Sequence, residues 1–81
     1  MITAGALAAI EKAGQCPTQL LARHYFADWG ELDDEDWARN DHALENGLRL
    51  LSSYRLRDRT LVWVVTEWDR SRTTLLVPAE Y

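Results

Sequence analysis

Polar and apolar residues alternate along much of Leu48 to Pro78, and this stretch reads as three short strands joined by two tight, charged turns. Leu48, Leu50, Ser52, Tyr54 and Leu56 share one parity, while Arg49, Leu51, Ser53, Arg55 and Arg57 share the other. Side chains alternate across a strand, so the segment predicts one mostly apolar face and one studded with arginine. Thr60 to Trp68 is richer in β-branched and aromatic residues, with Val62, Trp63, Val64 and Val65 nearly continuous, which predicts a central strand covered on much of both faces. Thr73 to Val77 makes a third strand, closed by Pro78, which has no N–H to give a ladder; Ala79 to Tyr81 is left as a tail. The links Arg57-Asp58-Arg59 and Asp69-Arg70-Ser71-Arg72 are short enough for antiparallel hairpins. Neither holds the glycine or Asn-Gly pair that primed turns favour, so their turn types stay open.

The pattern before Leu48 is helical. Thr3 suits the N-cap of a helix over Ala4 to Ala13, with Leu7 and Ile10 facing inward and Gly14 as its stop. Pro17 fits the first turn of a second helix, whose stripe of Leu20, Leu21, His24 and Tyr25 predicts an apolar face. A histidine on such a face reads first as a satisfied, partly buried group. Asp28-Trp29-Gly30-Glu31-Leu32 breaks that helix, with Gly30 allowing a sharp change of direction and Trp29 and Leu32 tucked under it. Asp33 caps a third helix, and Asp34, Glu35 and Asp36 follow where the helix dipole favours negative charge. It runs to about Glu45 or Asn46 and stops at Gly47, with Trp37 and Leu44 predicted inward and Asp34, Asp41 and Glu45 outward. The whole predicts an α+β fold, about three N-terminal helices on one face of a three-stranded antiparallel sheet, in one domain over residues 1–81.

At 81 residues the chain is small for a buried catalytic cavity with several shells around it, which favours a non-enzymatic role. No long apolar run and no basic leader are present, which predicts a cytoplasmic protein. The single Cys16 reads as a small packed residue. No cofactor is expected: there is no phosphate-binding glycine loop, CxxC pair or serine-centred nucleophile motif. No metal is expected either, because DDEDWARNDHALE lacks the spacing of a calcium loop and His42 completes no tetrahedral set.

Charge changes the picture more. The net charge of -4 conceals a segment from Asp28 to Glu45 with eight acids against Arg39, and one from Arg49 to Arg72 with six arginines against three acids. The acidic helix reads either as a well-capped solvated face or as an imitation of a nucleic-acid backbone. Asp33 to Glu45 carries six acids and one arginine. At a rise of about 1.5 Å per residue, that is about one net charge per 4 Å, comparable to the ~3.4 Å spacing of one DNA strand. The arginines read either as a solvated face paired with Asp58, Glu67 and Asp69, or as a surface for phosphate or acidic protein. Trp37 and Trp63 look like core anchors, and Trp29 or Trp68 like a partly exposed interface residue.

The pieces LARH, DWGELDDED, ND-x-AL-x-NG and TEWDRSRTTLLVP, in that order between Leu20 and Tyr81, resemble a family of small proteins of bacterial plasmids, prophages and other mobile elements. Trp37, Arg59 and Trp68 depart from its pattern. Some proteins that look like this are anti-CRISPR inhibitors of type I systems, in particular type I-C. The resemblance implies a cytoplasmic inhibitor, a monomer or weak dimer, that binds protein subunits of a type I surveillance complex (Cascade) and blocks target DNA. The partner-binding residues would be Asp33, Asp34, Glu35, Asp36, Asp41 and Glu45, acting as a DNA mimic without contacting nucleic acid. One alternative is a nucleic-acid-binding accessory protein using Arg49, Arg55, Arg57, Arg70 and Arg72; another is an anti-restriction DNA mimic that shares the acidic surface.

Overall fold

The helices begin where the sequence offers a cap or a preset backbone. In the computed structural model, which describes residues 1–81, the Thr3 hydroxyl accepts the Ala6 N–H at the start of α1 (Ala4–Lys12). Pro17 opens α2 (Pro17–Tyr25), where its missing N–H costs nothing. The Asp33 carboxylate accepts the Asp36 N–H at the start of α3 (Asp34–Asn46), and Gly47 ends α3 in the left-handed region.

Three strands follow, β1 (Leu50–Arg55), β2 (Leu61–Thr66) and β3 (Thr73–Leu76), antiparallel with β2 in the middle. The architecture is the α+β arrangement that the hydrophobic pattern predicts, with a short 3-10 turn, Pro78–Glu80, in the tail. Register places Tyr54 opposite Val62, Ser52 opposite Val64, and Val64 opposite Leu75, so these side chains share a face. Ala6 and Ile10 of α1 and Leu20 of α2 close over it with Tyr54, Leu56, Val62, Val64 and Leu75. Each large aliphatic side chain buried there contributes about 1.5–3 kcal/mol. On the opposite face Tyr81 meets Trp63 edge-on at 5.5 Å, and the Arg49 guanidinium lies over the Tyr81 ring.

Both sheet edges are covered, which removes the free ladder groups that invite aggregation. Ile2 runs parallel to Leu75 along β3, and Gly30 runs parallel to Ser53 along β1. Gly30 is at φ 74, and a Cβ there would stand 2.0 Å from the Ser53 carbonyl oxygen. Only glycine allows this approach. Further along β1 the Asn40 side chain of α3 takes the place of a strand: its amide donates to the Leu51 carbonyl and its oxygen accepts the Leu51 N–H. α3 therefore lies against the β1 edge, while α1 and α2 cover the face.

The two hairpin turns solve the missing glycine alike. Arg59 and Arg70 adopt positive φ, 77 and 62, directly after Asp58 and Asp69. Asp58 accepts the Thr60 N–H, and Asp69 accepts both the N–H and the hydroxyl of Ser71. The Arg59 N–H also closes onto the Leu56 carbonyl, a type I turn followed by a left-handed residue.

Several inward assignments are corrected. Leu7 is half-exposed, because the close-packed stripe of α1 is the pair Ala6 and Ile10, one helical turn apart. Tyr25 ends α2 and is 72% exposed, since the chain reverses directly after it. Leu44 is 49% exposed, because the Asn40–Leu51 pairing turns Asn40 and Ala43 inward. Cys16 stands in solvent ahead of α2 instead of packing, and hydrogen bonds from Thr18 lower its pKa. Trp29 is fully buried, whereas Trp68 is 66% exposed; Trp37 and Trp63 are half-buried on the flanks of the core. Arg49 and Arg57 lie outside β1, leaving Arg55 as the arginine within it. No helix is long and apolar enough to cross a membrane.

Candidate functional site, an acidic ridge beside an apolar pocket

The 3.6-residue period of α3 separates its acids into distinct roles. Asp33 is spent as the cap. Glu35 and Asp36 straddle Arg39, with Arg39 Nη1 to Asp36 Oδ1 at 3.2 Å and Nη2 to Glu35 Oε1 at 3.4 Å. Asp34, Asp41 and Glu45, spaced by seven and then four residues, form one stripe, and all three are exposed as predicted. Asp41 keeps one internal tie, accepting the Trp29 Nε1–H at 3.0 Å. Asp34 and Glu45 belong to none of the ion pairs in the chain. The structure thus gathers Asp34, Asp41 and Glu45 into one presented surface and sets Asp33, Glu35 and Asp36 to local duties.

α3 is held firmly for a surface helix. Besides the Asn40–Leu51 and Asp41–Trp29 contacts, the Arg70 guanidinium donates to the carbonyls of Ala43 and Leu48 at its C-terminal end, and to that of Glu67 in its own hairpin. Cationic donors there complement the helix dipole.

The arginines do not form one face. Arg49 pairs with Glu67 and donates to the Tyr81 hydroxyl; Arg55 pairs with Glu31 and donates to the Arg59 carbonyl; Arg70 is taken up by carbonyls. Arg57 and Arg72 sit in different hairpins, at opposite ends of β2, about 20 Å apart at ~3.3 Å per residue. A continuous phosphate track across the sheet is not assembled.

α3 separates two concavities. A groove of about 460 Å3 runs between its Asp36, Arg39 and Ala43 side and Leu48, Arg49 and Leu51. On its other side a pocket of about 140 Å3 is floored by His24, Trp29, Leu50 and Thr66 and walled by Tyr25 and Leu44. Sequence reading missed this pocket, because Tyr25 and Leu44 looked like core residues. The signal available was the Tyr25-Phe26 aromatic pair at a helix end, where Ala27 takes φ 60 with no glycine to ease it.

His24 is the buried polar centre beneath that pocket, and it is the satisfied histidine that the pattern predicts. Its Nδ1 meets the Ser52 hydroxyl and its Nε2 the Thr66 hydroxyl at 2.7 Å, with Thr66 in turn 2.9 Å from the Thr73 hydroxyl. Burial lowers its pKa to about 4, with the Arg70 charge adding to the effect. The ring is neutral near pH 7, one nitrogen donating and the other accepting. Tyr54 is likewise pushed up to about 12 by burial, and its hydroxyl donates to the Asp28 carbonyl. No three His, Cys, Asp or Glu side chains converge as metal ligands would. The chain matches no protein-family model, no curated protein and no solved structure.

Proposed function

We propose that this protein is a stoichiometric inhibitor that works by occupying a basic nucleic-acid path on a larger complex, with α3 standing in for a DNA strand. The target is a type I CRISPR surveillance complex, in particular type I-C, and the outcome is loss of target-DNA binding. The observation that carries this reading is the exposed stripe of Asp34, Asp41 and Glu45 on a helix fixed at its middle and its C-terminal end. Over the eleven steps along the helix from Asp34 to Glu45 the stripe spans about 16 Å, a length that crosses several phosphates of one strand. A preorganised row of carboxylates binds a basic groove with little ordering cost, and its attraction weakens as salt rises.

The reading takes its target from the resemblance of LARH, DWGELDDED and TEWDRSRTTLLVP to mobile-element proteins, and its surface from α3. Purified type I-C surveillance complex is mixed with the protein, followed by size-exclusion chromatography and a target-DNA binding assay at fixed ionic strength. Co-elution with loss of DNA binding is the expected result. No co-elution, with DNA retained by the small protein itself, contradicts the proposal and shifts the interface to the arginines. Inhibition of a restriction enzyme without effect on the surveillance complex keeps the acidic mimic and rejects this target.

A further inference from the structure

The pocket between α2 and α3 is not required by an acidic mimic, yet it is built into the same side of the molecule as the acid stripe. We propose that it docks one apolar side chain, of leucine or phenylalanine size, carried on a lysine- and arginine-rich segment of the partner protein. This deepens the inhibitory reading and rests on it for the partner's identity.

Size and chemistry specify the apolar part. The cavity measures about 140 Å3, near the ~150 Å3 in which an apolar protein cavity holds a benzene-sized guest. Its floor is buried and already satisfied: the His24 nitrogens are engaged by Ser52 and Thr66, and the Trp29 N–H by Asp41. A polar guest would find little to bond there. Its walls are costly to leave in water, for Tyr25 is largely exposed, Leu44 about half exposed and the adjoining Phe26 86% exposed. Ala27, which also lines the pocket, is held in a left-handed conformation that L-residues adopt at a cost.

Charge specifies the rest of the segment. Leu44 sits on α3 between Asp41 and Glu45, and the Asp41 carboxylate is tied to Trp29 in the pocket floor, so apolar wall and acidic rim are continuous. The one cation lining the pocket, Arg70, directs its guanidinium at the Ala43, Leu48 and Glu67 carbonyls. A two-fold copy of this chain would set the two acidic rims against each other, which disfavours self-association through this face. A basic segment meets complementary charge from Asp41 and Glu45 along the α3 wall beside its apolar anchor.

The probe is the blocked pentapeptide Lys-Arg-Phe-Arg-Lys, with Lys-Arg-Ser-Arg-Lys as control, titrated into the labelled full chain and followed by NMR. The phenylalanine peptide is expected to shift the Trp29 indole N–H and the Leu50 amide, and the serine peptide to leave them in place. Both Tyr25→Ser and Leu44→Ser lie on the exposed walls; the double variant should keep the native spectrum, lose these shifts, and bind the surveillance complex about 30-fold more weakly, as hot-spot truncation does. Equal shifts by both peptides, or full complex affinity in the double variant, overturn the docking pocket while leaving the acidic ridge intact. Pocket shifts without any binding to the complex uphold the pocket and reject the complex as the target. A dimer that dissociates in the double variant overturns the proposal in favour of a second copy.

Discussion

Asn40 closes both backbone groups of Leu51, donating to its carbonyl and accepting from its N–H, so that one side chain does for β1 what a neighbouring strand would do. Asn40 is buried, and this pairing sets how α3 rolls against the sheet. Asn40→Ala leaves two backbone groups unpartnered; the penalty is about 1–3 kcal/mol for each unsatisfied buried group, and because Leu51 is only partly buried the variant should lose about 2 kcal/mol in all. Urea unfolding measures the loss, and amide exchange at Leu51 should rise with it. Stability close to that of the parent protein would contradict the role assigned to this contact.

Gly30 should tolerate no side chain. The Cβ of Gly30→Ala would lie 2.0 Å from the Ser53 carbonyl oxygen and 2.6 Å from the Tyr54 ring, at a φ of 74. The segment would have to leave the β1 edge, exposing Trp29 and unpairing Ser53. We expect a loss of about 4 kcal/mol or more, in the range reserved for buried steric failure, read as lost near-ultraviolet circular dichroism from the Trp29 environment. An unchanged spectrum and melting curve would contradict the parallel Gly30–Ser53 contact.

Acid should weaken the fold through His24. Its folded pKa of about 4 lies below the ordinary 6.5, so the unfolded chain takes up the proton first. The stability in question is therefore complete above pH 6.5 and is lost as pH falls toward 4. Between pH 7 and pH 5 the loss is about 2 kcal/mol for this group alone. Chemical unfolding at the two pH values checks it, and His24→Gln should flatten the dependence. A wild-type curve that is flat across this window would contradict a neutral, buried His24.

The turns offer a test of opposite sign. Arg59 is held at φ 77 between Asp58 and Thr60, a conformation in which glycine is free of the Cβ clash and a β-branched residue suffers most. Arg59→Gly should gain roughly 0.5 kcal/mol after its extra chain entropy, and Arg59→Val should lose about 1 kcal/mol. Thermal melts rank the three; a valine variant as stable as the glycine variant would contradict the turn geometry.

Much of this molecule was legible because its punctuation is local. Thr3, Pro17, Asp33 and Gly47 mark helix ends through their own chemistry, and period-2 alternation with a Val-rich middle placed β2 at the centre. The hairpins lacked glycine, but each carries Asp-Arg followed by a hydroxyl residue, Asp58-Arg59-Thr60 and Asp69-Arg70-Ser71. The aspartate bonds two residues on and holds the intervening arginine left-handed. Which way α3 faces was not legible. Apolar periodicity selects Trp37 and Leu44, whereas the buried contact is made by Asn40, whose value lies in two hydrogen bonds that no hydropathy pattern registers. That roll left Leu44 outside and formed the pocket with Tyr25. The outward acids were legible, since Asp34, Asp41 and Glu45 lie on the exposed stripe; the sharing of Arg39 by Glu35 and Asp36 required the structure.

The proposal that α3 occupies a DNA path is tested most directly by reversing the two acids that have no partner within the chain. Asp34→Lys combined with Glu45→Lys leaves the Asp33 cap, the Asp41–Trp29 bond and the Arg39 pairs in place, so the fold should persist. The measurement is target-DNA binding by the type I-C surveillance complex as the protein is titrated in, parent against double variant, at one salt concentration. The proposed mechanism predicts that the parent displaces DNA at stoichiometric ratios and that the variant, still folded by circular dichroism, fails to do so. Equal displacement by both proteins would contradict the acidic ridge as the interface.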